Sequence, residues 1–439
     1  MTTLSFVGII IALTLLCYMM YKGGSPAITI PIAIAIVSLT SGLNFADMLT
    51  GPFLEQTMAL AKAVGLMFIF SCAFAEVMLR CGCAESVAKA IIKVAGGPKY
   101  VCWIVLVCLS IMAVGGMGQG AYLVIYPIGC YLCREMKYSR SILLGCMTCA
   151  TWTYAMTGPF VATPHNIYAM NFLGTGPDAG LLIGIVSDIV MFVAGGLYLT
   201  WQAKRWQKKG KGWSDFDEQC FQKLNFSMDD TKKGPSFFIS IIPIIVVMLL
   251  FNVANMNIAV AMIGGILVCL VLNFKRMTPG EWWKSLGQGA TKGMVPIFSL
   301  ALVGGLGAVI AQTSAYAFST NFLSNLQLNP YLVVCIVANL LSLFLGSASG
   351  GISLMLTTMM PVFQKFIDAG TITAGNLHRL MCIASGGLDS LPNSGPLSSL
   401  NVMFDFTNEE AYFPVFITCT AIPLIVTFFI ALPMAMMGL

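Results

Sequence analysis

The chain has 439 residues, 58% of them hydrophobic and only 9% charged, with a mean hydropathy of +0.86. A water-soluble domain carries about 25% charged residues, so this composition excludes one and describes a polytopic membrane protein with room for about ten to twelve spans of ~20 residues. The net charge of +5 matters through which loops hold the 23 Lys and Arg, because basic loops stay in the cytoplasm.

Leu4 to Tyr21 is expected to be a retained first span, since no basic stretch precedes it as in a cleaved signal. Ala27 to Ser41 is the second, and the acidic, base-free stretch Asn44 to Gln56 reads as an external loop. Met58 to Leu79 returns to the cytoplasm, where Arg80, Lys89, Lys93 and Lys99 surround Glu85 to Val94, an amphipathic helix lying along the membrane surface. Two apolar arms within 100–133 then flank Gly115-Gly-Met-Gly-Gln-Gly120. Each arm, as helix, is roughly 20–22 Å long, short of the ~30 Å hydrocarbon layer. With positive charge at both ends, the pair is expected to be a re-entrant hairpin with the glycines and Gln119 at its tip.

Residues 141–172 read as one span broken at Thr157-Gly-Pro-Phe-Val-Ala-Thr-Pro-His-Asn166. Leu181 to Trp201 returns inward, and the linker 202–236, with eight bases and five acids between Lys204 and Lys233, marks the cytoplasm. The pattern then repeats. Phe237 to Val253 and Ile258 to Leu272 are spans; Lys275, Arg276, Lys284 and Lys292 belong to a cytoplasmic loop with Trp282 and Trp283 as interfacial anchors; Val295 to Gln312 goes out; and the uncharged Thr313 to Pro330 is external. A second glycine-tipped hairpin occupies 331–363, a second broken span 377–406, and Tyr412 to Met436 closes the chain.

The second break, Asp389-Ser-Leu-Pro-Asn-Ser-Gly-Pro-Leu397 behind Gly386 and Gly387, cannot continue a helix, because two prolines remove donors and the glycines weaken the backbone. Unpaired peptide groups cost several kcal/mol in hydrocarbon, so broken backbone survives only where it lines a cavity or is buried in protein. The expected fold class is therefore all-α polytopic, with two inverted-topology repeats (1–201 and 237–439), each of five transmembrane spans, one broken, plus a re-entrant hairpin. That arrangement is the mark of secondary transporters.

Ala73 to Ile92 (AFAEVMLRCGCAESVAKAII), the first hairpin, Thr163-Pro164-His165 and Ala384 to Gly395 resemble the gluconate:proton symporter family of organic-acid permeases, in the ion-transporter superfamily that also holds dicarboxylate and citrate carriers. The resemblance implies a bacterial inner-membrane carrier, often a homodimer, that takes up a sugar acid or related small carboxylate with protons through a site built from hairpin tips and broken helices. Two departures stand out. The family's Pro-Pro-His-Pro-Gly-Pro run is Thr163-Pro164-His165-Asn166-Ile167-Tyr168 here, and its Asn-Asp-Ser-Gly run is Pro392-Asn393-Ser394-Gly395.

A carboxylate that must leave again suits half-helix N-termini better than a fixed cation, and no Arg or Lys is expected near the membrane centre. The candidate substrate-binding residues are Gln119, Thr157, Thr163, His165, Asn166, Ser347, Ser349, Asn393 and Ser394; singly, each Ser or Thr reads equally as a helix cap or back-bond. Candidate coupling groups are His165, Asp389 and Asp188, because intramembrane ionisable groups mark ion pathways and histidine titrates near neutral pH. Glu76 reads as a structural partner of Arg80, and His378, Arg379 and Asp405 as structural groups near the interfaces.

No cofactor, metal ligand set or nucleic-acid partner is expected; the partners are the bilayer and the substrate, and the coupling ion is H+ or, in the competing reading of a cation/proton antiporter with Asp389 and Asp188 as carriers, Na+. Abundant hydroxyls and amides at the breaks favour symport. The fifteen Cys, such as Cys102, Cys108, Cys146 and Cys149, read as small apolar core residues, with Cys81-Gly-Cys83 the only close pair. No His-Glu-x-x-His, Gly-x-Ser-x-Gly or phosphate loop supports an enzyme. Both termini are expected outside.

Overall fold

The structure is a computed structural model that describes residues 2–439 apart from 23, 115–119, 162, 225–233 and 326–327. Among the described residues every extended element is helical. Helix α1 (Thr2–Tyr21) packs against α2 (Pro26–Ser41); Gly8 leaves room for Thr40, and the hydroxyls of Ser5 and Ser41 lie 2.8 Å apart. The stretch read as an external loop is largely helix. Asn44 accepts from the N–H groups of Ala46 and Asp47, so helix begins there as α3 (Phe45–Met48) and runs through a π turn (Leu49–Phe53) into α4 (Leu54–Arg80), which itself bends by 42° between Lys62 and Gly65.

Helix α5 (Cys83–Ala95) has one buried face and turns 101° at Gly96-Gly97 into α6 (Val101–Val114). Helix α7 (Gly120–Met136) packs along α6; the expected tip between them, Gln119 included, lies outside the described residues. Next come α8 (Ile142–Cys149), a π turn (Ala150–Tyr154) and α9 (Ala155–Thr157). Helix stops at Gly158, which has extended φ/ψ, and resumes as α10 (Pro164–Leu173) with proline at its first position. The 28-residue α11 (Leu181–Lys208) and the short linker helix α12 (Asp215–Lys223), opened by a Ser214/Asp217 capping box, complete this half.

Helices α13 (Phe237–Asn252) and α14 (Ile258–Leu272) pack as a pair. A second capping box, Thr278 with Glu281, starts α15 (Pro279–Ala311), so Trp282, Lys284 and Lys292 stand on a 33-residue helix rather than in a loop. The uncharged stretch after it carries α16 (Ser314–Asn325). Helices α17 (Pro330–Leu345) and α18 (Ala348–Asp368) fold on each other across Gly346, whose φ of +54° favours glycine. Then come α19 (Ala374–Ser385), irregular chain from 386 to 394, α20 (Gly395–Phe404), and a last run made of α21 (Asn408–Phe416), α22 (Ile422–Val426) and α23 (Leu432–Met436) joined by π turns.

Among the described residues three continuous runs are each long and apolar enough to cross a bilayer, Thr2–Met20, Leu181–Lys208 and Asn408–Met436. The outward faces agree with that medium. Leu39, Phe238, Val271 and Phe429 are each at least two-thirds exposed, a surface that would aggregate in water and is at home in lipid.

Helices α4 and α15 pack closely along each other. A Cβ on Gly289 would fall 2.5 Å from Ala73 Cα, and one on Gly293 would fall 2.6 Å from the Phe68 carbonyl oxygen. Glycines one turn apart thus let two long helices touch backbone to backbone, the packing that holds helices together where the surrounding lipid is as apolar as they are. At one end of this contact Glu76 on α4, 1% exposed, accepts from Arg80 at 2.9 Å and from Lys292 of α15 at 2.8 Å. Gly293→Leu should push the pair apart and lower the thermal unfolding temperature in detergent, whereas Gly280→Ala, with open space around it, should leave it unchanged.

Candidate functional site

The two interrupted helices meet. A Cβ on Gly386, at the second break, would lie 3.1 Å from the Met156 methyl and 3.4 Å from the Trp152 carbonyl oxygen, just ahead of the first break. Helix α18 packs on α10 and α19, so the second hairpin covers both.

At the first break the freed backbone is satisfied by one amide. The Asn166 Nδ2 group donates to the carbonyls of Gly158 (3.0 Å) and Val161 (2.9 Å), and Thr163 Oγ1 donates to the Met156 carbonyl at 2.9 Å. Asn166 Oδ1 in turn accepts from Arg379 Nη1 (3.0 Å) and His378 Nε2 (3.2 Å), with Thr175 Oγ1 2.8 Å from the other imidazole nitrogen. The rest of the Arg379 guanidinium donates to the carbonyls of Thr157, Pro177 (3.4 Å) and Ala179 (2.9 Å). Arg379 is wholly buried and its charge bears on Asp188, which accepts from Thr157 Oγ1 at 3.2 Å. The sequence reading of His378 and Arg379 as interfacial groups misses this, because only the fold brings α19 against α9 and α10. Thr157 and Asn166 are therefore committed to holding the break. His165 is buried beside them, and its Nδ1 has no partner among the described residues.

At the second break Asn393 Nδ2 donates to the Leu343 carbonyl at 3.0 Å, and a Cβ on Gly346 would fall 2.6 Å from the Asn393 carbonyl oxygen. The α17–α18 turn therefore sits directly on the break. Ser347 caps α18 through the Gly350 N–H and lies 3.1 Å from the Ser349 hydroxyl. Asp389 is buried, accepts from Ser390 Oγ at 2.7 Å, and faces the Ala348 N–H at the start of α18. Ser394 is the N-cap of α20, with no side-chain cap bond. Three buried oxygens here have no partner among the described residues: Asn339 Oδ1, Ser342 Oγ and Asn393 Oδ1. Neither Asn339 nor Ser342 is in the sequence-derived set. The available signal was two small polar residues facing inward on an otherwise apolar hairpin arm.

A second fully buried arginine, Arg140, precedes α8 and holds the other end of the second interrupted helix. It donates to the carbonyls of Phe404 (2.5 Å) and Asp405 (2.8 Å), to the Tyr126 hydroxyl (2.6 Å) and to Asp217 (3.2 Å), and it stacks on Phe406. Next to it a cleft of about 250 Å³ opens between α7 and α20, walled by Tyr126, Pro127 and Phe404 and bordered by Lys223 and Lys292. Beyond the cleft, the Trp213 indole and Arg134 hold the Glu218 carboxyl of α12 below the usual carboxylate range.

Comparison with known proteins decides the class of molecule that carries this geometry. A family model described as GntP family permease matches residues 2–388. The chain belongs to that family. The permease is also similar, at 22% identity over 445 aligned residues covering 93% of this chain and 94% of the relative, to the uncharacterized transporter YxjC of Bacillus subtilis. An uncharacterized permease of Haemophilus influenzae is 21% identical, with 84% and 82% covered. It is thus a membrane transporter and not an enzyme. The permease uses Arg379 as the fork that closes the first break, so Arg379→Ala should cost ~2 kcal/mol or more by leaving buried carbonyls unmet, read as a lower unfolding temperature. Arg379→Lys should recover little of that loss, since an ammonium lacks the planar fork.

Proposed function

We propose that the permease is a secondary active transporter that carries a small sugar or hydroxy acid, of which gluconate is the model, together with protons by alternating access. The observation that carries this reading is the set of unpartnered oxygens at the second break. Asn339 Oδ1 and Asn393 Oδ1 accept only, so they call for a ligand that brings hydroxyl donors. The N-terminus of α18 at Ser347 and that of α20 at Ser394 supply backbone N–H groups and partial positive charge for a carboxylate. A polyhydroxy acid has both halves of that chemistry. In this reading Thr163, Ser347, Ser349, Asn393 and Ser394, with Gln119, surround the substrate, while Thr157 and Asn166 hold the first break in shape. His165, Asp389 and Asp188 are the proton-carrying candidates.

The proposed architecture is two inverted repeats, and the order of elements supports it. Two apolar helices, a long helix, a paired-helix hairpin, an interrupted helix and a long closing run occur as α1, α2, α4, α6–α7, α8–α10 and α11, and again as α13, α14, α15, α17–α18, α19–α20 and α21–α23. The second halves of both interrupted helices have ten residues, begin near a proline and end in a left-handed residue, Gly174 or Asp405. The hairpins are re-entrant in this scheme. The positive-inside bias puts the linker 202–236 in the cytoplasm and both termini outside. The cleft lined by Lys223, Lys292 and Asp405 is then the cytoplasmic approach to the site. The working unit is a homodimer in a bacterial plasma membrane.

Uptake of labelled gluconate into proteoliposomes, with unlabelled carboxylates as competitors and a proton gradient imposed with and without sodium, tests the reading. Proton-driven uptake competed by one hydroxy acid is expected. Failure of every carboxylate to move or compete, with collapse of the gradient on adding sodium, would replace it by a cation/proton antiporter working through Asp389. Ser349→Leu and Asn393→Leu should abolish uptake while leaving insertion and the elution volume in detergent intact. His165→Ala should slow uptake or move its pH optimum, and an unchanged pH profile removes His165 from coupling.

A further inference from the structure

The tight turn Cys81-Gly82-Cys83 gains a third thiol from the fold. Cys81 caps the end of α4 and Cys83 opens α5, while Cys269, 188 residues from Cys81, arrives on the last turn of α14. Gly82, at φ +78°, lets the turn fold back on itself. All three thiols are buried and free, and their sulfurs lie within 4.8 Å of one another. The Sγ atoms of Cys81 and Cys269 are 3.6 Å apart, and the Met78 thioether sulfur is 3.6 Å from Cys269 Sγ. Sulfurs arranged tetrahedrally around an ion at ~2.3 Å stand about 3.8 Å from each other, so these pairs already hold coordination spacing. A surrounding shell is also in place. Asn273 Nδ2 donates to Cys83 Sγ at 3.4 Å and to the Cys269 carbonyl at 2.9 Å, orienting two of the three sulfurs.

We propose that Cys81, Cys83 and Cys269, with the Met78 thioether as a fourth donor, bind one thiophilic closed-shell metal ion of the zinc, cadmium or copper(I) type. Soft sulfur donors select such ions over Mg²⁺ or Ca²⁺. Binding releases the thiol protons to solvent, and a zinc or cadmium ion offsets two of the three thiolate charges, copper(I) one. The ion clips the α4–α5 turn to α14, next to the α4–α15 contact, and so ties elements from the two halves of the chain together. Thiols remain available for this in a reducing compartment, which matches the cytoplasmic side to which Arg80, Lys89 and Lys93 assign the turn.

The test is titration of the reduced, detergent-purified full chain with cadmium(II), following thiolate-to-cadmium absorption in the ultraviolet. One equivalent per chain is expected for the wild type and for Cys335→Ser, a buried cysteine outside the cluster, with the band lost in Cys83→Ser and Cys269→Ser. A wild type that shows no band, or a Cys269→Ser protein that keeps it in full, overturns the proposal. X-ray absorption of the one-to-one wild-type complex decides the matter even if a variant fails to fold. A shell of three or four sulfur neighbours upholds the site, and a shell of oxygen and nitrogen overturns it.

Discussion

The arrangement depends on how broken backbone is kept satisfied away from water. Arg379 and Asn166 do this together at the first break. The amide nitrogen of Asn166 takes two freed carbonyls, its oxygen takes the guanidinium, and the guanidinium spreads over three further carbonyls from α9 and the loop before α11. A buried cation normally costs far more than it returns unless every donor is used. Here the return is geometric, because one planar fork fixes α9, the loop after α10 and α19 relative to each other. The neighbouring packing depends on it: a Cβ on Gly184 would lie 3.1 Å from Arg379 Cδ, and one on Gly180 would lie 2.4 Å from Arg379 Cβ.

Arg140 repeats the device on the other interrupted helix. Each arginine stands near the start of one interrupted helix and donates to carbonyls at or just beyond the end of the other, Arg140 to Phe404 and Asp405, Arg379 to Pro177 and Ala179. The two interrupted helices are thereby tied to each other at two places. In contrast, the second break keeps acceptors in hand, with Asn339, Ser342 and Asn393 each holding an unpartnered oxygen. At the first break the carbonyls of Gly158, Val161 and Met156 are met by side chains and His165 Nδ1 is the group left without a partner among the described residues, whereas at the second break three oxygens are left so.

The glycine-lined contact of α4 with α15 joins the two halves of the chain. It is a backbone-to-backbone contact reinforced by the Glu76, Arg80 and Lys292 cluster, where the carboxylate is buried and both cations reach solvent. Charges arranged in that way keep most of their hydration while still pinning the helix pair at one end.

Much of this was legible in the sequence. Apolar runs, basic loops and Gly/Pro punctuation are local signals, and helix is interrupted at Gly158 and around Pro392, where those residues leave it without donors or a stiff backbone. Helix starts hidden in apparent loops, at Asn44 and Thr278, depended on side-chain caps that composition alone does not weigh. What only the tertiary structure decided is which distant groups share one low-dielectric space. Arg379 looked like a structural group near an interface, and Cys269 looked like one more small core residue, since the sequence counts a charge or a thiol at its own position. A partner two hundred residues away is what turns a costly buried cation into a clamp, or three ordinary thiols into a ligand set, and that partner is assigned by packing and not by spacing along the chain.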